Sequence, residues 1–568
     1  FCAKSYDGLR KNRKMIWRRH QRLLYTLVHL RAEQVLFQLY YRCASRIVRQ
    51  LAAASPELSG RRLWPQPWSA PLVMPRCQLA RGVFEFLGEQ GQIDGSSDWN
   101  ASNRSKLWLY NLHYLDDLNS VGADERADLG EWLVQRWIDD NPPPAGNGWE
   151  PYPLSLRLVN LVKWCARQAS VREAWISSIA QQAQALAVQE ERHILANHLF
   201  ANGKALTFAG AFLDGKQGER WLARGLRILD REVDEQFLRD GGHFELSPMY
   251  HSTLLWDLCD LVNLAGRSGV HQLGERSANW RQVIERGLAW LALMSHPDGE
   301  VAFFNDCAFG IAPHPELLRA YAGSLGCPVT PLSPAPLSAT HLPNSGYVVI
   351  ALGERSKAIL DVAEVGPGYQ PGHAHADTLS FELSLYGQRV LVNSGTSCYG
   401  TDPERQRQRG TAAHNTVEVD GQDSSEVWAG FRVARRARPG PVDLRRMNDS
   451  DGESLLVGCS HDGYRRLRGS PVHHRQWRCA PQHLRVTDTV TGHFREAVSR
   501  YHLHPDVRLG DRHELLLPGG QSIRWSVAGG EARVVDSTWH PRFGVSVPNR
   551  CLEVRFVANE VTTEFLWD

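Results

Sequence analysis

The sequence lacks any apolar run that approaches the roughly 20 residues a membrane-spanning helix needs, and it lacks an excess of charge of either sign. Lysine and arginine together number 64 against 62 aspartate and glutamate residues, so the formal net charge is +2. A chain this balanced has no global field that would attract nucleic acid or anionic lipid. We therefore expect neither a nucleic-acid partner nor a transmembrane segment.

Paired cysteines and lysines are also scarce. The 11 cysteines are scattered without a C-x-x-C pair, which argues against a disulfide scaffold and against a cysteine-based zinc module. Only eight of the 64 cationic residues are lysines, which leaves 56 arginines. A GC-rich coding sequence accounts for this bias. The alternative is that planar guanidinium groups bind carboxylate or sulfate groups.

Three common catalytic motifs are missing as well. The chain contains no H-E-x-x-H zinc motif, no Gly-rich phosphate loop and no G-x-S-x-G nucleophile turn, which removes three familiar enzyme classes from consideration. Any catalytic site must therefore be assembled from dispersed residues.

The chain changes its pattern near residue 330. Before that point apolar residues recur at three-and-four spacing, as in the 172–195 stretch, and Ser247 with Pro248 predicts the start of another helix. After it, short alternating stretches between Gly, Asn and Asp predict antiparallel strands. We expect a helical domain over 80–329, introduced by a β-hairpin at 80–100, and a β-sandwich over 347–568.

Two segments lie outside these domains. Residues 330–346 are rich in Pro and Ser and predict a linker. Residues 1–79 form an N-terminal extension whose basic, Leu- and Tyr-bearing part predicts helices. An ordinary docking helix is one interpretation of that extension, and a membrane-surface or partner helix is the other. The start of the chain as given has no signal-peptide pattern.

Polar residues gather at several points of the helical half. An Asn-His pair at a helix boundary and a His-Glu-Tyr-His cluster at a helix start are each compatible with helix capping and buried hydrogen bonds, or with a site. The candidates in this half are Glu150, Tyr152, Arg157, Asn197, His198, His243, Glu245, Tyr250, His251, Asn305 and Asp306.

The sheet half offers "GHAHAD", in which His373 and His375 share one face if the chain is extended. Asp377 follows closely. The spacing to Asn393, Arg409 and His414 is typical of residues on neighbouring strands of one sheet. Imidazoles with a carboxylate or amide oxygen can bind Zn²⁺, so a metal site is one interpretation.

Taken together, "WEPYPLSLRLVN", "NHLFANGKAL", "ELSPMYH", "GHAHADTLSFEL", "VNSGT" and "RGTAAHNTVEVDGQ" resemble the heparinase II/III-like polysaccharide lyases. The resemblance covers roughly residues 80–435, with the motifs in the family's order. It implies an incomplete (α/α) toroid followed by an antiparallel β-sandwich, with the active cleft between them. It also implies an anionic, uronate-containing polysaccharide as substrate and β-elimination as the reaction.

The resemblance assigns roles to four residues. Asn197, assisted by His198, would bind the uronate carboxylate so that an enolate-like intermediate can form. Tyr250 would protonate the leaving O4 oxygen, and His373 would remove the C5 proton or contact the carboxylate. Whether Tyr250 or His373 is the base stays open. We expect the substrate to contact Glu150, Tyr152, Arg157, His251, Asn305 and Arg409.

The resemblance also implies a structural divalent metal, most readily zinc, bound by His375, Asn393 and His414. The family's carboxylate is replaced here by Asn393, and an amide is a weaker ligand. Alternatively, His375 and His414 form hydrogen bonds that orient His373.

Two other functions remain open at this point. One is a non-catalytic glycan-binding or assembly protein on a lyase scaffold. The other is a glycoside hydrolase, which needs two opposed carboxylates, with Glu150, Glu245 and Asp306 as the candidates. The family resemblance implies a periplasmic location, whereas the odd cysteine count and the lack of a signal pattern favour the cytoplasm.

Overall fold

The computed structural model describes residues 17, 19–57, 60–328, 335–449, 452–511 and 513–568. Residues 19–27 are helical. The helices that follow are α1 Ala32–Cys43, α2 Ser45–Ala53, α3 Lys106–Tyr114, α4 Ala127–Asp140, α5 Pro151–Cys165, α6 Glu173–Val188, α7 Ala196–Phe212, α8 Gly215–Gln236, α9 Pro248–Ser268, α10 His271–Leu293, α11 Pro315–Ser324 and α12 Pro403–Arg409. No helix among these residues is long and apolar enough to span a membrane.

The strands form five antiparallel sheets within the described residues. The hairpin sheet before the helices is β1 Gln78–Ala80, β2 Val83–Phe86 and β3 Glu89–Gln92. The later strands are β4 Leu337–Leu342, β5 Tyr347–Leu352, β6 Lys357–Asp361, β7 Phe381–Leu385, β8 Gln388–Leu391, β9 Val417–Val419, β10 Val427–Trp428, β11 Arg432–Val433, β12 Asp443–Asp449, β13 Gly452–His461, β14 Val472–Ala480, β15 His483–Thr491, β16 Ala497–His502, β17 Arg508–Leu509, β18 Glu514–Leu516, β19 Ser522–Ala528, β20 Gly530–Trp539, β21 Val547–Phe556 and β22 Glu560–Trp567.

The helical half is an (α/α) toroid in which α7 and α8 pack unusually closely. A Cβ on Gly210 would lie 2.3 Å from the backbone nitrogen of Leu222, and one on Gly225 would lie 2.4 Å from Thr207 Oγ1. Only glycine permits this approach of two helix backbones. Almost every residue of α7 is consequently buried, and its N-terminus is fixed at one end of the toroid.

The second half is an antiparallel β-sandwich. A five-stranded sheet (β4-β5-β6-β7-β8) and an eight-stranded sheet (β12-β13-β14-β15-β22-β19-β18-β17) contribute side chains to one apolar core. Strands β14 and β15 alternate between buried residues and half-buried or exposed ones, which is the period-two pattern from which antiparallel strands were predicted. The predicted hairpin at 80–100 and the predicted helix start at Ser247–Pro248 are confirmed.

The predicted linker over 330–346 is wrong in part. Residues 329–334 lie outside the described residues, but β4 pairs with β5 from Leu337↔Leu352 to Leu342↔Tyr347. Pro334 and Pro336 precede this strand, and its four middle residues are half-buried or exposed, so composition hid a strand whose terminal leucines are both buried.

A small apolar cluster joins the two halves. It includes Leu246 at the start of α9, Trp290 on α10, Phe304, and Tyr347 and Ile359 on the five-stranded sheet. This junction brings the first turn of α9 next to the loop between β6 and β7, which contains both histidines of the H-x-H motif.

Candidate active site

Tyr250 and His373 meet across the junction between the toroid and the sandwich. Their ring centroids are 3.9 Å apart at an interplanar angle of 32°. Tyr250 lies in the first turn of α9, where Ser247 Oγ accepts a hydrogen bond from the Tyr250 backbone N–H at 3.2 Å. The phenol oxygen of Tyr250 is 2.9 Å from that of Tyr399. Two proton-transfer groups from different domains thus share one small cleft.

The orientation of His373 is set by Asp306. His373 Nδ1 lies 2.8 Å from Asp306 Oδ2. The same carboxylate accepts hydrogen bonds from both terminal nitrogens of Arg405. Burial alone would raise the pKa of Asp306, but Arg405 and the two imidazoles beside it hold that pKa well below its usual range. Because Nδ1 is bound to a charged carboxylate, Nε2 is the nitrogen that faces the cleft.

Asn197 lies at the start of α7 with a free side chain. Its amide makes no hydrogen bond to any residue in the described part of the chain, although the residue is only 5% exposed. Its backbone nitrogen is 3.5 Å from Glu245 Oε1, and Glu245 Oε2 is 3.9 Å from His373 Nε2. Burial raises the pKa of Glu245. An unengaged amide next to the cleft is suited to bind a carboxylate.

His198 stands beside Asn197 and pairs with an acid. Its Nδ1 is 2.9 Å from Glu191 Oε1, and its ring centroid is 4.4 Å from that of Tyr152. Burial alone would lower the pKa of His198, but Glu191 raises it above the ordinary value. The imidazole is therefore charged over a wider pH range and adds a positive charge near Asn197.

Left-handed backbone conformations precede three of these side chains. Leu195 and Ala196 have φ of 67° and 54°, Leu246 has 59° and Asn305 has 57°. Such angles cost non-glycine residues about 1–3 kcal/mol each and concentrate at functional sites. Here the turns place Asn197 next to Glu245, Tyr250 against the His373 ring, and Asp306 at His373 Nδ1.

The candidate metal ligands come together only in part. His375 Nδ1 is 3.2 Å from His414 Nε2, and His375 Nε2 is 2.8 Å from Asp306 Oδ1. Burial lowers the pKa of His375 to about 4 and that of His414 to about 3. Among the described residues no group of three or more His, Cys, Asp or Glu could hold a metal.

Asn393 does not complete a ligand set. Its Nδ2 donates to Phe303 O at 2.9 Å, and its Oδ1 accepts from Asn415 N at 3.2 Å. Both ends of the amide are therefore occupied by backbone groups, so the three residues as arranged do not fit a zinc ion. The contacts instead match the second interpretation, in which His375 supports Asp306 and, through it, His373.

Three residues expected at the substrate lie in the framework instead, and that expectation is corrected. Arg157 is fully buried, donates to His113 O and Gly148 O, and stacks 3.7 Å from the Trp137 ring. The sequence predicted that Arg157 lies on a helix. Helix spacing alone does not show which face of that helix is buried, so the burial of Arg157 was not predicted.

His251 and Arg409 are buried in the same way. His251 Nε2 bonds Gly287 O at 3.0 Å, and burial lowers its pKa to about 4. Arg409 donates to the carbonyls of Ala374 and Gly430 at 2.8 and 2.9 Å. Arg409 therefore fixes the H-x-H loop from behind.

The other expected substrate contacts divide into three cases. Tyr152 is partly exposed beside His198. Glu150 is half-exposed and binds Tyr110 and Lys106. Asn305 is buried, donates to Leu246 O at 2.9 Å and accepts from His375 N at 3.1 Å, so it ties the toroid to the H-x-H loop.

Sequence reasoning did not identify Tyr399, Arg405 or Glu191. Tyr399 follows "VNSGT" closely, and that position was the available signal. Arg405 and Glu191 each lie in a charged stretch with no distinctive motif. Their partners, Asp306 for Arg405 and His198 for Glu191, became evident only from the fold.

Comparison with known proteins agrees with this arrangement. Residues 109–315 match the family model described as "Heparinase II/III N-terminus", and residues 334–568 match "Heparinase II/III-like, C-terminal". The crystal structure of heparinase III superposes with a TM-score of 0.66 at 17% identity, covering 85% of this chain and 80% of that one.

Two curated relatives differ in coverage. A heparin-sulfate lyase of Bacteroides stercoris is 28% identical over 249 residues, covering 41% of this chain and 36% of its own. The FtsZ-localized protein C of Caulobacter vibrioides is 26% identical over 460 residues, covering 75% of this chain and 74% of its own. This chain thus spans about a third of the first relative's length and about three quarters of the second's. With both family models matched in order, the chain belongs to the heparinase II/III-like family.

Proposed function

We propose that this protein is a polysaccharide lyase that cleaves a uronate-containing glycan by β-elimination. The observation that carries the proposal is the grouping of Tyr250, His373 and the unengaged Asn197 amide in one cleft between the toroid and the sandwich. The similarity to the heparin-sulfate lyase of Bacteroides stercoris supports it.

Carboxylate recognition comes first in the proposed reaction. The C5 proton of a uronate is a weak acid while its neighbouring carboxylate keeps its full charge. Asn197 Nδ2 can donate to that carboxylate, and His198, whose pKa Glu191 raises despite burial, can supply positive charge beside it. Together they stabilise the enolate-like charge that develops when the proton leaves.

Proton transfer then divides between the two stacked rings. His373 Nε2 removes the C5 proton, and the charged Asp306 at Nδ1 stabilises the imidazolium that forms. Burial, followed by the neighbouring Tyr399, raises the pKa of Tyr250 well above its usual value. A phenol that stays protonated is suited to donate its proton to the departing O4 oxygen.

The direct test is product formation from a panel of uronate polymers, including bacterial exopolysaccharides. Elimination gives an unsaturated uronate that absorbs in the near ultraviolet, so we expect absorbance to rise with one polymer class. Products that are heavier by one water and lack the double bond would instead indicate hydrolysis. Failure on every uronate polymer would refute the lyase proposal.

Hydrolysis finds little support among the acids near the cleft. Asp306 is bound by Arg405 and two histidines, and Glu150 is engaged by Tyr110 and Lys106. That leaves Glu245 without an opposed free carboxylate in the described part of the cleft, whereas glycoside hydrolases require two.

A second candidate function is glycan binding or assembly without turnover. The observation in its favour is the match to FtsZ-localized protein C, which covers three quarters of both chains. Calorimetric titration with uronate oligosaccharides separates the two candidates, because binding without any rise in absorbance would select this one.

Metal content is measurable independently of activity. We propose that His375 and His414 act as a neutral hydrogen-bonded support for Asp306. Elemental analysis of the purified protein checks this proposal. One tightly held equivalent of zinc, lost in a His375→Ala variant, would favour the metal site expected from the family instead.

A further inference from the structure

The N-terminal helices carry their apolar side chains on the outside. Of the 24 large apolar residues that are exposed in the described chain, twelve lie between Trp17 and Leu51. They include Leu24, Val28 and Leu36, which are 63%, 73% and 64% exposed. Single exposed apolar residues are ordinary, but this many within one short run of helices indicate an interaction surface.

The inner faces of the same helices are pinned to the body of the protein. Gln34 is buried and donates to Ile194 O and Tyr369 O at 3.3 and 3.4 Å. Tyr41 donates its hydroxyl to Glu190 O at 2.6 Å, and Ala52 of α2 is 1% exposed. Gln34, Val48 and Ala52 thus face the body, while the leucines lie outward together with arginines such as Arg42 and Arg46.

The charges around this apolar surface have one sign. Arg42, Arg46 and Arg49 are exposed, and none is paired with an acidic side chain in the described part of the chain. The one acid in residues 19–53, Glu33, is already bound by Arg192 and Arg231. The surface therefore combines outward leucines with unneutralised arginines.

We propose that the outer face of residues 19–53 is a docking surface for an anionic lipid bilayer. Leucine and tyrosine side chains would insert at the headgroup boundary, and the free guanidinium groups would bind lipid phosphates. A second copy of the chain is a poorer occupant, because a two-fold pairing of identical patches would bring the same arginines together. This inference does not depend on the lyase reaction.

The test is co-sedimentation of the full chain with vesicles of pure phosphatidylcholine or of phosphatidylcholine mixed with phosphatidylglycerol. We expect binding to the anionic vesicles that weakens as salt is raised. Leu36→Ser with Leu39→Ser removes apolar contact, and Arg46→Gln with Arg49→Gln removes charge. Each pair should lower the apparent affinity by about tenfold or more.

A matched control uses exposed apolar residues elsewhere. Val121 and Val557 are 54% and 70% exposed, and Val121→Ser with Val557→Ser should leave vesicle binding unchanged. Turnover of a soluble glycan should be the same in all these variants, so failure of the lipid proposal is distinguishable from failure of the lyase proposal.

Three results would overturn the lipid assignment. The first is no binding of the full chain to phosphatidylglycerol vesicles. The second is equal binding of the Leu36→Ser/Leu39→Ser protein. The third is a concentration-dependent dimer by light scattering that the same two substitutions abolish, because the occupant would then be a second copy.

Discussion

At the scale of single residues, the proposed acid and the proposed base differ in their environment. Tyr250 is held in its phenol form because burial and Tyr399 raise its pKa, while His373 is fixed through Nδ1 by a carboxylate. Removing either group would leave the other without its partner in the proposed proton transfer. The two rings in contact therefore act as one unit.

Substitution of either ring should abolish turnover without unfolding the protein. Tyr250→Phe and His373→Ala should each lower kcat by about 10²–10⁴-fold, the range for a lost general acid or base. Near-ultraviolet absorbance measures turnover and circular dichroism checks the fold. Tyr41→Phe and His271→Ala, the same changes outside the cleft, serve as controls, and full activity in both cleft variants would refute the assigned roles.

His198 predicts a specific pH dependence. Because Glu191 raises the pKa of His198 despite its burial, the imidazole is charged at low pH and loses its charge as pH rises through that raised value. We expect kcat/KM to fall on this alkaline side. His198→Gln should be less active and should lack that limb in a full pH profile, whereas an unchanged limb would assign it to another group.

At the scale of secondary-structure elements, Asp306 connects three segments. It follows the left-handed Asn305 and joins the H-x-H loop to Arg405 on α12. Arg405 and His375 are fully buried, so removal of the carboxylate leaves a buried guanidinium without a counter-charge. A buried charge that loses its partner typically costs several times more than an exposed one.

Asp306→Asn should lower the free energy of unfolding by about 3–5 kcal/mol, measured by urea titration. Asp230→Asn breaks a partly exposed ion pair with Arg276 and should cost no more than about 1 kcal/mol. The Asp306→Asn/Arg405→Met double variant should recover part of the loss. A cost for Asp306→Asn equal to that of the control would contradict the structural role.

The Asp306–Arg405 pair also makes the free energy of unfolding depend on pH in the acid range. The pKa of Asp306 is well below its usual range in the folded protein. Its contribution is therefore present above the unfolded-state pKa and is lost as pH falls through the folded value. We expect wild-type stability to drop more steeply at low pH than that of Asp306→Asn, in urea titrations at a series of pH values.

The elements were largely predictable from sequence, and the site was predictable in part. Ser247 and Pro248 predicted the start of α9, because helix capping depends only on residues that are close in sequence. Tyr399 and Arg405 escaped because their partners lie more than 90 residues away. Arg157 was misplaced because periodicity identifies a helix but not the side on which its cation is buried.

At the scale of the whole molecule, several arginines act as internal braces. Arg157, Arg405, Arg409 and Arg475 are among the largest fully buried side chains. Arg475, for example, donates to both Asp488 oxygens and to the carbonyls of Leu379 and Asn415. A guanidinium group donates in several directions at once and so binds backbone turns that a single lysine ammonium could not connect. The arginine bias therefore does not by itself indicate an anionic substrate.

The cleft also depends on how the two halves are seated. Asn197, Tyr250 and Asp306 come from the helical half, and His373, Tyr399 and Arg405 come from the sandwich half. In increasing urea we expect activity to fall before helical circular dichroism does, because a small shift at the junction separates the rings. Coincident loss of both signals would show that the halves separate only on global unfolding.

The contacts across the junction between the toroid and the sandwich limit which chimeric proteins can be built. A chimera that exchanges the sandwich for that of a relative must transfer Asp306 together with Arg405 and the H-x-H loop, since the buried Asp306 binds both. Polar residues deeper in the toroid, such as Lys163 and Asp257, line a cavity with no sandwich residue among its lining. An exchange of the sandwich therefore leaves the lining of that cavity unchanged.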